Sequence, residues 1–298
     1  MSTTTTKPHF TACLPPSAVL TGNTWRNRVS QFMTTNKYTV LNQRVQDAVN
    51  NPLVTIFKLD LQGFINLMGK FAAPKYNGIR MHFAAFPDDP YALDFIPEDM
   101  EGQLTVFFCP TTPPAPGKPT GIDDPKQFWY LKPDGNAIQL PMGLVNTWID
   151  NYKNYRKDVL DSDGTDHMKP KKFLETERLW YSKVTIFGEK DGEVGLLPYL
   201  ACQTSPEADN PIIELYIQLA AFTPDDVKIG FPEYQLSSVF YFRQASDPVP
   251  DPNGLTGTKH AIVFGSVSLP DVMVPADTGI PCPPADNCPP PPPAVHKS

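Results

Sequence analysis

The spacing of apolar positions along this chain switches between two periods, and the switches mark out its elements. Two runs are the clearest: Gly78-Ile79-Arg80-Met81-His82-Phe83 and Leu104-Thr105-Val106-Phe107-Phe108-Cys109. Each is short, apolar and rich in β-branched or aromatic residues, which predicts a core strand. Successive side chains on a strand point to opposite faces. Arg80 and His82 therefore share one face, and Ile79, Met81 and Phe83 share the other.

Helical spacing appears earlier. Trp25, Val29, Phe32 and Met33 form one apolar stripe, Val40, Leu41, Val45 and Val49 form a second, and Pro52 closes it. A β-branched stretch at 53–58 reads as a strand. Asp60 then stands as an N-cap before the stripe of Leu61, Phe64, Ile65 and Met68, and Asn77-Gly78 turns the chain into the first core strand. Strand, helix and strand in this order predict a βα-type unit feeding a shared sheet. Further on, Asp134-Gly135 between two apolar runs predicts a hairpin. Pro141 opens a helix with Leu144, Trp148, Tyr152, Tyr155 and Val159 on one stripe, widened by Val145 and Ile149. A further helix is expected after Pro170, carrying Phe173, Glu177, Trp180, Tyr181 and Val184, and strands are expected within 212–222, 239–243 and 261–267.

The fold class that follows is α+β, a mixed β-sheet flanked by helices. Its organisation reads as a loose N-terminal arm at 1–18, a globular domain at 19–275 and a proline-rich tail at 276–298. Within 110–125 lie six prolines, which makes this the candidate internal boundary. The chain holds 35 prolines against 18 glycines, and eight of the thirteen residues at 281–293 are proline. Such a segment lacks the backbone donors of a helix or ladder, so an extended, disordered polyproline tail is expected.

Charge narrows the partners. A net charge of −7 opposes nucleic-acid binding, which needs clustered Lys and Arg. The lysines at 153–183 are interleaved with Asp and Glu, the pattern of a solvated face. No apolar run approaches the ~18 residues of a membrane span, and residues 1–8 have no signal-peptide core, so no membrane partner is expected. Five cysteines are an odd number for a disulfide framework. Cys109 and Cys202 sit in apolar contexts typical of buried free thiols, which points to a reducing, cytoplasmic compartment.

Four places could carry chemistry. Arg80 and His82 could bind an anion or carbonyl, with His82 exchanging protons; the plainer reading is an exposed face, or Arg80 paired with the acidic loop at 88–99. Asp161 and Asp163 stand in a Gly-containing acidic loop that could hold a hard cation. Thr165 and Lys172, however, occupy positions where the helix–loop–helix calcium motif needs an Asp or Asn and a Glu, so a solvated loop is expected. Cys282 and Cys288 could form a redox-sensitive loop, or half of a soft-metal site completed by His296 or another chain, against a plain reduced pair. Asp277-Thr278-Gly279 matches the aspartic-protease triplet, but with no second triplet in the chain it carries no chemistry. No phosphate loop, zinc-protease helix or nucleophile elbow is present, and no cofactor is expected. Asp123-Asp124 and Asp225-Asp226 sit beside prolines, where Asp is favoured by turns, and are given no role.

Asn77 to Ala84 and Leu104 to Thr111 resemble the Gly-Ile-Arg-x-Tyr-Phe and Leu-x-Phe-x-Pro-Thr segments of an uncharacterised bacterial family, with His82 at the aromatic position. Cys282-Pro283-Pro284 followed by Cys288 is similar to that family's Cys-Pro-Pro-x-Cys ending, with a longer gap. The resemblance implies a bacterial cytoplasmic origin and transfers no activity. The expectation is then a non-enzymatic interaction or structural protein that docks a protein partner through its tail. The alternatives are an enzyme using Arg80 and His82 in a pocket, and a metal- or redox-linked module using Cys282 and Cys288.

Overall fold

The computed structural model describes residues 19–20, 24–34, 36–50, 52–87, 95–97, 100–113, 121–156, 178–188, 195–205, 208, 210–221, 236–247, 249, 262–265 and 280–282. Its first part runs β1 (Val19–Leu20), α1 (Thr24–Thr34), α2 (Asn36–Val49), β2 (Ile56–Leu59), α3 (Leu61–Lys70), β3 (Gly78–Ala85) and β4 (Leu104–Thr112). Next come β5 (Ile122–Asp123), β6 (Trp129–Leu131), β7 (Ala137–Gln139), α4 (Met142–Arg156) and β8 (Arg178–Ser182). The last are α5 (Lys183–Phe187), α6 (Leu196–Gln203), β9 (Ile212–Ala221), β10 (Leu236–Gln244), β11 (Ile262–Gly265) and β12 (Ile280–Cys282). The class is α+β, as the pattern predicts. Among the described residues no helix is long and apolar enough to cross a membrane.

The strands form two sheets, and every pair among the described residues is antiparallel. The first has the order β1-β11-β10-β9-β2; the second has β12-β8-β3-β4-β6-β7, with β5 added on β4. The unit β2-α3-β3 therefore does not feed one sheet. β2 pairs with β9 and β3 with β4 and β8, so α3 carries the chain from one sheet to the other. Its cap is the expected one, Asp60 accepting from the Gly63 backbone N–H at 2.6 Å. Phe64, on its buried stripe, has its ring 5.9 Å from Phe108 of the second sheet and 5.7 Å from Phe240 of the first.

Strand alternation divides β3 between two cores. Ile79, Met81 and Phe83 belong to the large core that also holds Phe64, Tyr181, Leu215 and Phe242. Ala84 joins a smaller one with Phe86, Phe107, Cys109, Tyr130 and Trp148. Because both faces are covered, all eight residues of β3 are buried. The large core takes residues from both sides of 110–125, and β4 continues through Pro110 to Thr112, where β5 pairs back onto it. That proline-rich stretch is thus fastened to the sheet at both of its described ends.

A further helix prediction also fails within the described residues. Trp180 and Tyr181, read as helical, lie on β8, whose register sets Trp180 opposite Arg80 and Tyr181 opposite Ile79. Arg178-Leu179-Trp180-Tyr181-Ser182 satisfies a strand as well as a helix, and two buried faces remove the polar alternation that would have told them apart. The hairpin is found where Asp134-Gly135 predicts it, with Gly135 at φ +85° and β6 paired to β7.

Candidate functional site

Four ionisable side chains converge on the face of β3 that carries Arg80 and His82. The centre is Asp123 of β5. Arg80 donates from Nη1 to Asp123 Oδ1 at 2.5 Å and from Nη2 to the Gly121 carbonyl at 2.7 Å. His82 Nε2 lies 3.2 Å from Asp123 Oδ2, close enough for an ion pair but outside hydrogen-bond alignment. Arg178, directly across from His82 on β8, approaches the same oxygen at 3.7 Å. Exposure grades outward, from 4% for the Arg80 side chain and 5% for His82 to 17% for Asp123 and 20% for Arg178.

Local structure explains why the pieces meet. Arg80 and His82 are two apart on a strand, and β4 and β8 flank them in register. β5 is held over that face by several bonds. Thr112 donates to the Ile122 carbonyl, Cys109 Sγ points to the Asp124 carbonyl at 3.5 Å, and Tyr76 donates to Asp124 Oδ2 at 3.0 Å. Gly121 packs so tightly that a Cβ there would collide with Asn77 and Thr111. Those two are themselves bonded, and Trp180 Nε1 donates to Thr111 Oγ1 at 2.9 Å.

The electrostatics follow from burial and contact. Burial opposes the charge of Asp123, but His82, Arg80 and Arg178 outweigh it and hold the carboxyl well below the usual range. Burial pulls His82 below its ordinary value against the attraction of Asp123, so the imidazole is neutral near pH 7. Its ring stacks on Phe107 at 4.8 Å and meets the edge of Phe128 at 5.7 Å. Arg80 is also lowered by burial, with Asp123 opposing that shift. Cys109, beneath the cluster, has its thiol pushed far up by burial, which keeps it protonated and poorly nucleophilic.

The arrangement is an internal electrostatic latch. It joins the 121–124 segment to the centre of the second sheet. Arg80 and His82 share a face as the strand period requires, but that face is covered rather than exposed. Arg80 pairs with Asp123; the five acidic residues of the 88–99 loop all lie outside the described ones. Asp123 escaped notice because its neighbours read as a turn. Arg178 escaped because β8 read as a helix.

The remaining candidates separate. Asp161, Asp163, Asp277, Cys288 and His296 lie outside the described residues. Cys282 falls in β12, its backbone directly opposite Arg178. Cys202, expected as a buried free thiol, is half-buried and disulfide-bonded, a cross-link that its apolar neighbours could not reveal. Among the described residues no three His, Cys, Asp or Glu side chains group as a metal site. Comparison with protein-family models, with curated proteins and with solved structures finds no match.

Proposed function

We propose that this chain is a non-enzymatic interaction protein that offers its proline-rich C-terminal segment to an aromatic-lined groove of a protein partner. The observation that carries the reading is β12. Ile280–Cys282 pairs with β8 as the edge strand of the second sheet, so the proline-rich residues start from a fixed point on the body. Pro281 is tolerated there because an edge strand need not donate from every residue. An extended segment rich in proline loses little conformational entropy on binding, which suits it to groove recognition.

The latch supports the same reading from the other side. Its imidazole is neutral and enclosed, and both oxygens of Asp123 are engaged by cations. A second reading, an enzyme using Arg80 and His82, is favoured by one observation: Asp123 stands within 3.2 Å of His82 Nε2. The nearby Cys109 thiol does not serve it as a nucleophile, since burial keeps that thiol protonated.

Titration of the full chain against a panel of polyproline-reading domains tests the proposal. Saturable binding that disappears when Pro289 to Pro293 are changed to Ala supports it. Equal binding by the full chain and by a chain ending at Cys282 overturns it.

A further inference from the structure

Of the groups that make up the latch, the His82 imidazole is the one whose ordinary pKa, 6.5, lies near neutral pH. Its place leaves little room for a charge. The side chain is 5% exposed, its ring stacks on Phe107 at 4.8 Å, and the edge of Phe128 meets it at 5.7 Å. The carboxylate beside it is already engaged. Asp123 receives Arg80 on Oδ1 at 2.5 Å, and Arg178 lies 3.7 Å from Oδ2, the oxygen that His82 Nε2 approaches at 3.2 Å. A proton on His82 therefore sets three cations around one carboxylate on a covered face.

We propose that His82 is an acid-sensitive release for the 121–124 segment: protonation of the imidazole frees β5 from the second sheet and uncovers Arg80, His82 and Arg178 together. Among the described residues, the charged groups that face the ring are Arg80 of its own strand, Arg178 of β8 and Asp123 of β5. From β4 it meets Phe107 and, nearby, the protonated Cys109 thiol, and Phe128 stands just before β6. Asp124 is turned towards Tyr76 and Lys75. Burial opposes the imidazolium most strongly, Asp123 favours it, and Arg80 and Arg178 oppose it again; the balance is against protonation in the closed fold.

Relief requires water at the ring, and the ladders decide which element gives way. β3 is held to β4 through eight registered pairs and to β8 through five, whereas β5 is two residues long and pairs with β4 at two positions. β5 is the part that yields. The sign of the effect follows from the closed fold disfavouring the proton. Closure is fully stable above pH 6.5 and weakens as pH falls towards the lower, folded value. The carboxylates act in a different window, since Asp123 and Asp124 start from 3.8 and Glu214 from 4.5, and all three are lowered further. The device is separate from partner docking by the proline-rich segment, because its readout is local exchange rather than binding.

Hydrogen–deuterium exchange of the full-length protein between pH 5.0 and 7.5, read by mass spectrometry and corrected for the intrinsic rate, tests it. The peptide over 121–124 should lose protection as pH falls. Its opening constant should rise towards tenfold per pH unit below 6.5, the limit for a single proton, while a peptide over β9 stays protected. Histidine C2–H exchange in the same samples gives the His82 pKa residue by residue and should place it below 6.5. His82→Gln should abolish the pH dependence and leave 121–124 protected at pH 5. Flat wild-type protection over this range overturns the proposal, as does a His82 value at or above 6.5. Equal loss in the β9 peptide, or pH dependence retained by His82→Gln, overturns it too. The wild-type measurements need no variant, so misfolding of His82→Gln cannot shield the idea.

Discussion

Replacing Asp123 by Asn removes the carboxylate from the latch and changes little of its shape. Arg80, a buried guanidinium with 4% side-chain exposure, then loses the carboxylate to which it donates at 2.5 Å. Removing one partner of a buried ion pair typically costs about 3–5 kcal/mol, because the remaining charge is desolvated and uncompensated. Arg178 and Asp123 keep partial access to water at 20% and 17%, and the Gly121 carbonyl still accepts from Arg80. Those features place the expected loss at the lower end, about 3 kcal/mol. Urea unfolding followed by tryptophan fluorescence measures it; with a slope of about 3 kcal/mol/M the midpoint should fall by about 1 M. The double variant Arg80→Met/Asp123→Leu should recover much of the loss, since it removes both charges and fills the same volume. A loss below about 1 kcal/mol for Asp123→Asn, or a double variant worse than the single, refutes a latch held by mutual neutralisation.

Gly78→Ala should destabilise by about 1–3 kcal/mol, because a Cβ there would run into the Tyr181 carbonyl and the Trp180 indole; an unchanged thermal midpoint would contradict the tight β3–β8 packing. Acid titration should weaken the protein in a defined direction. The folded-state pKa of Asp123 lies below its ordinary 3.8, and that of Glu214 falls from 4.5 to about 2, where Arg243, Lys58 and Tyr216 outweigh the opposing effect of burial. Both contributions are therefore complete above pH 4.5 and fade as pH falls through the folded values. Glu214→Gln should flatten the stability loss between pH 4.5 and about 2, by a modest amount because the network is partly exposed; a variant that tracks the wild type there would remove Glu214 from the account.

The parts of this protein that were legible before any coordinates are those governed by neighbours in the chain. The apolar spacing of 24–49 yields α1 and α2, Asp60 caps α3, and Asp134-Gly135 makes a hairpin. The placement of Arg80 and His82 on one side of β3 belongs with them, since it follows from the period of an extended chain. Contacts between remote residues determined the rest. Strand period says that two side chains share a face but not whether β5 covers it, so the burial of Arg80 and its pairing with Asp123 required the fold. Residues 178–182 were ambiguous because a strand buried on both faces loses its polar alternation. β2 and β3 look like partners until pairing with β9 and β8 divides them between two sheets. The alignment of Cys282 with Arg178 is a matter of register between strands about a hundred residues apart, which no local pattern encodes.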